Sequence, residues 1–400
     1  MTTTGHQTDL LGRYRDSVLG VFGTPPLVLS HGEGCYVWDT DGRRYLDLVG
    51  GIAVNALGHG HPALVSALSK QAAEAIHISN LFTSVPQIEL AERLLCVAGA
   101  PEGSRVFLAN SGAEAMEAAV KLTRRTGRTR IVAAEGAFHG RTTGALALTS
   151  KAAYREPFEP LLPGVSHVPY GDVDALRAAV TEQTAAVVLE PVQGEAGVLD
   201  PGPEYLVAAR EITRAAGALL VLDEIQTGVG RTGEWFAFQA AGIVPDAITV
   251  AKGLGGGVPI GALVTFGERV SSMLTAGQHG TTFGGNPLAA AGALAVLDTI
   301  ESEGLLEHAR LAGEHLAVRV AGLEHPMLHP VRGRGLLRAI PLAAPVSAEL
   351  ATAARDAGFI VNPVEPQAIR LAPPLVVTTG QLDTFVDALP TLLDSLEATP

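Results

Sequence analysis

Five short apolar runs, separated by helix-forming stretches, constrain the fold of this chain more than any other feature. They are Arg105–Ala109, Ile131–Ala134, Ala185–Leu189, Ala218–Leu222 and Ala247–Ala251. The segments between them are rich in Ala, Leu and Glu. Short continuous apolar runs suit strands covered on both faces, and parallel strands need long crossovers between them. The expected fold is α/β with a mostly parallel central sheet. A length of 400 residues, 47% of them hydrophobic, supports a large core and two or three domains.

The ends read differently. EGCYVWDTDGRRYLDLVGG (Glu33–Gly51) places aromatic and β-branched residues around Asp41-Gly42, which predicts a β-hairpin. Pro62–Ile76 has helical spacing, and the first 20 residues read as a loose tail or short helix. After about residue 300 helical segments return, with short strands expected near Gly335–Ile340 and Ala368–Leu371. This part is expected to form a smaller α+β domain.

A formal net charge of −13 argues against a nucleic-acid surface. Two cysteines, Cys35 and Cys96, fit a reducing compartment. MTTTGHQTDLLGRYRDS at the start has no apolar core of signal-peptide length. No apolar run reaches the roughly 18 residues that span a bilayer. The expectation is a cytoplasmic protein without membrane or nucleic-acid partners.

In open α/β sheets ligands bind beyond the carboxyl ends of the strands. There the runs deliver Glu190, Asp223-Glu224 and Lys252. One polar strand end is commonplace, but three on one rim suggest a site. VFLANSGAEAMEAAVKLTRR (Val106–Arg125) reads as strand, turn and helix, with Ser111, Gly112 and Ala113 at the helix start. Such a start binds phosphate through free amides, although Ser111 alone reads as an ordinary cap. Lys252 precedes its glycines, so this is no P-loop. In HGTTFGGNPLAAAGALAVL (His279–Leu297), Thr281 and Thr282 could donate to a phosphate, or merely form a turn. His59-Gly60-His61 lacks zinc-site companions, no GxSxG or HExxH occurs, and no metal site is expected. His139 alone reads as structural.

The motifs together resemble the class III pyridoxal-phosphate-dependent aminotransferases. They are NSGAEA (Asn110–Ala115), AFHGRT (Ala137–Thr142), EPVQGEAG (Glu190–Gly197), DEIQTGVGRTG (Asp223–Gly233), AKGLGGGVPIGA (Ala251–Ala262) and HGTTFGGNPLA (His279–Ala289). The resemblance runs from about Pro25 to Leu375. It implies fold type I of these enzymes, with a large cofactor-binding domain at 56–299 and a small domain built from 1–55 and 300–400. It also implies a homodimer with shared active sites. Lys252 would carry the cofactor through its amine and shuttle a proton. Asp223 would pair with the ring nitrogen, Gln226 with the phenolic oxygen, and Phe138 would stack on the ring. Ser111, Gly112 and Ala113 would hold the phosphate, with Thr282 reaching it from the neighbouring subunit. Glu224 and Ile225 would complete the cofactor's contacts.

For substrate, the resemblance assigns Arg370, in IRLAPPL, to the α-carboxylate and Arg141 to the far end. Glu195 would neutralise Arg370 until 2-oxoglutarate enters, and Thr281 would be a further substrate contact. GGIAVNALGHGHP (Gly50–Pro62) and SNLFTS (Ser79–Ser84) most resemble the acetylornithine aminotransferases. That implies ping-pong transfer of the terminal amine of N2-acetylornithine to 2-oxoglutarate. Ile52 offers no polar handle for a free α-amine, which favours an acylated donor over ornithine. Succinylornithine and 4-aminobutyrate remain rival donors. Gln226 stands where related aminomutases carry methionine, and a non-catalytic relic would lose Lys252 or Asp223. Met116 departs from the asparagine usual at the phosphate helix.

Overall fold

The computed structural model describes residues 4–397. A helix, Thr4–Ser17, precedes strands β1 (Leu29–Glu33), β2 (Tyr36–Asp39) and β3 (Arg44–Asp47). The expected hairpin is the antiparallel β2–β3 pair. Gly42 takes a φ of 84° in its turn, and one Asp39 carboxylate oxygen accepts from the Asp41 and Arg43 amides.

The large sheet holds β4 (Arg105–Ala109), β5 (Arg130–Ala134), β6 (Val165–Val168), β7 (Thr184–Leu189), β8 (Leu219–Asp223), β9 (Ala247–Val250) and β10 (Gly261–Thr265). Their order is β4-β10-β9-β8-β7-β5-β6. All five predicted runs are present. Strands β5 to β9 pair in parallel, and every residue of β7, β8 and β9 is buried, which is why their sequences are continuously apolar. The sequence reading did not include β6 or β10. Strand β6 is a half-buried edge of four residues. Strand β10 is antiparallel to both β9 and β4. Residues 251–260 join it to β9 without a crossover helix, so it can only return alongside.

Helix Gly112–Arg124 packs on β9 and β10, and helix Pro203–Ala216 on β7 and β8. The latter has proline in its first turn and ends on Gly217 in the left-handed conformation, φ 63°. Helix Pro287–Ser302, capped by Asn286, leads out of this part of the chain.

The remaining strands are β11 (Arg332–Arg334), β12 (Leu337–Pro341), β13 (Phe359–Ile360), β14 (Asn362–Glu365) and β15 (Ala368–Leu371). Four of them form an antiparallel sheet, β11-β12-β15-β14. Strand β13 instead pairs in parallel with β3, so both chain ends share one sheet. Buried Arg231, in the loop after β8, donates to the carbonyls of Leu336 (3.0 Å) and Pro373 (2.5 Å). It ties the large sheet's rim to the C-terminal sheet.

Candidate active site

Strands β7, β8 and β9 are neighbours, and their carboxyl ends meet in register: Leu189 pairs with Leu222, and Asp223 with Thr249. Glu190, Asp223 and Lys252 therefore face one cavity of about 440 Å³. Lys252 follows β9 in a strained backbone, with φ 41°. Loss of hydration, then the charge of Arg370, lowers its ammonium pKa to about 8.

Asp223 is buried and held by three donors. Its Oδ1 accepts from the Ile225 amide (3.0 Å) and the Thr249 hydroxyl (3.2 Å). His139 Nδ1 lies 2.7 Å from Oδ2. A carboxylate only accepts, so Nδ1 carries the hydrogen of this bond. The other ring nitrogen, Nε2, is buried without a protein partner among the described residues. A ring nitrogen of His139 and a carboxyl oxygen each of Glu190 and Asp223 all lie within 4.8 Å of one another. Burial, then the charge of Asp223, pushes the Glu190 carboxyl well above the ordinary carboxylate range. His139 thus belongs to the site, which its sequence context did not reveal.

The helix start completes the cavity wall. Ser111 Oγ accepts from the Glu114 amide (3.2 Å), and Glu114 Oε2 accepts from the Asn110 amide (2.9 Å). Ser111 is the ordinary cap, and it also lines the cavity with Gly112 and Ala113. The first amides of a helix have no intrahelical acceptor, so they are free for an anion. Packing here is close: a Cβ on Gly112 would meet Ile225 Cδ1 at 2.6 Å. Phe138, Ile225 and Gln226 also line the cavity.

The two arginines differ in charge balance. Arg370, on β15, is buried. Its Nη1 donates to Glu195 Oε1 (2.6 Å) and Gln226 Oε1 (3.0 Å), and its Nη2 to Asn362 Oδ1 (2.6 Å). Burial raises the Glu195 carboxyl, but the charge and hydrogen bond of Arg370 outweigh it and the net pKa is lowered. Arg141 is exposed at the cavity wall. Its guanidinium lies 3.5 Å from the Tyr154 ring centroid and has no carboxylate partner among the described residues. Asn362 and Tyr154 were not singled out by sequence. Nothing local in the sequence marks either.

Some predicted residues lie elsewhere. Glu224 does not enter the cavity. It succeeds Asp223 at a strand end, where side chains alternate in direction. Its buried carboxyl accepts from the Thr227 hydroxyl and the Phe238 amide (2.9 Å). The Thr281 hydroxyl accepts from Asn110 Nδ2 (3.0 Å), while Thr282 is exposed, and neither lines the cavity within this chain. Ile52 is 42% exposed in a left-handed turn, Gly50–Ala53, with φ of 65°. Met116 is buried with Ala145 and Leu148, so its role is packing.

The donor set fits pyridoxal phosphate. A buried carboxylate suits a protonated ring nitrogen, free helix-start amides suit the phosphate, and an amine with lowered pKa suits the aldehyde. The apolar walls at Phe138 and Ile225 suit a flat ring.

Known proteins are similar to this chain over nearly its whole length. The family described as aminotransferase class-III matches residues 22–393. The chain is 54% identical to an acetylornithine aminotransferase of Mycobacterium tuberculosis (strain ATCC 25618 / H37Rv) over 388 residues, covering 97% of each. It is 56% identical to one of Mycolicibacterium smegmatis, covering 96% of this chain and 98% of the relative. Among solved structures, the ornithine aminotransferase from Toxoplasma gondii ME49 matches with a TM-score of 0.93 at 30% identity, covering 100% and 97%. The acetylornithine aminotransferase from Elizabethkingia anophelis matches at 0.87 and 33%, covering 97% and 99%.

Proposed function

The chain belongs to the class-III aminotransferases, and from that premise we propose that it transfers the terminal amine of N2-acetylornithine to 2-oxoglutarate. The products are N-acetylglutamate 5-semialdehyde and glutamate, the reaction of an arginine-biosynthesis enzyme. The observation that carries the reading is Lys252 and Asp223 at the carboxyl ends of adjacent strands, facing one cavity with a helix start. The names of the relatives support the donor.

The cofactor is pyridoxal phosphate. When bound, it supplies an aldehyde that takes up amines and a ring that accepts electrons from the substrate carbon. Lys252 would hold it through its amine, and as a free base its Nζ would take up the proton leaving the substrate carbon and carry it until it is handed back. Asp223, fixed by His139, Thr249 and the Ile225 amide, keeps a proton on the ring nitrogen. Ser111, Gly112 and Ala113 would hold the phosphate, Phe138 and Ile225 would cover the ring, and Gln226 would hydrogen-bond the phenolic oxygen. Arg141 takes the donor's carboxylate. Arg370 takes the α-carboxylate of 2-oxoglutarate after Glu195 yields it, through two parallel hydrogen bonds.

Two copies share the work in this reading. Leu81, Phe82, Val85 and Phe283 are 86%, 72%, 65% and 59% exposed, which suits burial against a second copy. Thr282 lies beside Phe283 in the sequence, and in this reading it reaches the partner's phosphate site. No helix among the described residues is long and apolar enough to cross a membrane. With two free cysteines, that is compatible with the cytoplasm.

The test is a panel of ω-amino donors with 2-oxoglutarate, following glutamate and ranking kcat/KM. N2-acetylornithine is expected first. A lead for free ornithine would overturn the donor, and no glutamate from any ω-amine would overturn the reaction.

A further inference from the structure

We propose that Tyr154 is a positioning residue that holds Arg141 ready for the donor's carboxylate. The proposal rests on the reading of Arg141 given above. The Arg141 backbone is already fixed. Gly140 precedes it with φ 134°, and a Cβ there would meet Ala145 at 3.0 Å and Ala113 at 3.1 Å. Glu117 Oε1 accepts from the Gly144 and Ala145 amides (2.9 and 3.2 Å), locking the start of helix Thr143–Leu148. Among the described residues the long side chain has no such anchor of hydrogen bonds.

What holds it is aromatic. The guanidinium carbon lies 3.5 Å from the Tyr154 ring centroid and 5.6 Å from that of Phe138. The two rings meet edge to face at 6.5 Å and 85°. Phe138 lines the cavity, so the trio connects its wall to the short helix Ala152–Arg155. A ring attracts a guanidinium through its face and uses none of its N–H donors. All five stay available for a carboxylate. An acidic partner would restrain the same side chain but would compete with the ligand, as Glu195 does on Arg370. Lys151 Nζ, 4.9 Å from the Tyr154 ring, adds a second positive charge nearby. Tyr154 thus supplies order without neutralisation.

The holoenzyme with Tyr154→Leu and Tyr154→Phe tests this. Two donors are compared: N2-acetylornithine, and N-acetyl-1,4-diaminobutane, which is the same amine without the carboxylate. Tyr154→Leu is expected to narrow the preference for the carboxylate-bearing donor on the order of fivefold, through KM rather than kcat. Calorimetric binding of glutarate is expected to weaken by a similar factor, and Tyr154→Phe to restore both. Melting temperatures show that each variant is folded. Equal losses for both donors, or equal damage from Phe and Leu, would overturn the proposal. So would unchanged glutarate binding in Tyr154→Leu beside lost binding in Arg141→Ala, which leaves the reading of Arg141 intact. A native enzyme with no preference between the donors would instead remove that reading, and the proposal with it.

Discussion

At the scale of single residues, the chemistry is carried by groups whose titration burial has altered. Lys252 has a pKa lowered to about 8 by burial and Arg370, so its free amine appears well below the ordinary lysine range. The rate at which apoenzyme takes up pyridoxal phosphate, followed by absorbance, is expected to rise with pH and level off above about 8. An ordinary lysine would keep it rising toward about 10.4. Glu224 is the opposite case. Burial raises its carboxyl to about 7, offset in part by Thr227 and Phe238. Between about 4.5 and 7 the unfolded chain is ionised there while the folded chain holds the proton. The stability this group contributes is full below about 4.5 and falls as pH rises through 7. Glu224→Gln stays neutral, so it is expected to stabilise the protein at pH 8 by up to about 3 kcal/mol. The gain should fade toward pH 4.5, and melting curves at the two pH values measure it. Sequence could place Asp223, Glu224 and Lys252 at strand ends, because that follows from the apolar runs. It could not say which of two consecutive carboxylates turns inward, nor that His139, 84 positions before Asp223, would bond to it.

Elements whose own composition identified them were the readable ones. Strands β7, β8 and β9 are apolar because both faces are covered, and the hairpin was marked by its Asp-Gly turn. Strand β10 lies in the glycine-rich stretch after Lys252, and its direction follows from a connection too short to cross over. Yet β10 shapes the phosphate site. Gly261, its first residue, packs on the backbone of Ser111: an added Cβ would meet the Ser111 carbonyl oxygen and stand 2.8 Å from its carbon. A backbone neighbour cannot rotate aside. Gly261→Ala is therefore expected to push the helix start away and weaken cofactor affinity about tenfold, the effect of roughly 1–3 kcal/mol of overpacking. Equilibrium dialysis against pyridoxal phosphate measures it. Unchanged affinity would mean that Ser111 does not hold the phosphate. The turn Gly50–Ala53 was equally unreadable. Ile52 is β-branched and has φ 65°, a conformation that only the surroundings impose. Here Asp47 Oδ1 accepts from the Val49 and Gly50 amides (3.0 and 2.9 Å).

For the whole molecule, the joining of both chain ends was suggested by the hairpin near the start and the short strands near the end, and implied by the family resemblance. Its physical basis, the two-residue strand β13 beside β3, has no local signature. The proposed dimer would be organised by the exposed apolar surface. Leu81 and Phe82 are nearly uncovered, and Asn80 Nδ2 donates to the Thr281 carbonyl (2.8 Å), joining this patch to the segment with Thr282 and Phe283. A two-fold interface uses each residue twice, and each fully buried Leu or Phe contributes about 1.5–3 kcal/mol. Leu81→Asp with Phe82→Asp should thus cost about 6 kcal/mol or more, enough to leave monomers at micromolar concentration. Sedimentation is expected to show a dimer for the native chain and a monomer for the double variant. The monomer should also bind pyridoxal phosphate more weakly, because Thr282, exposed within its own chain, would lose the neighbouring phosphate. A native monomer with full activity would refute the shared site, and a monomeric variant with unchanged cofactor affinity would restrict Thr282 to the interface.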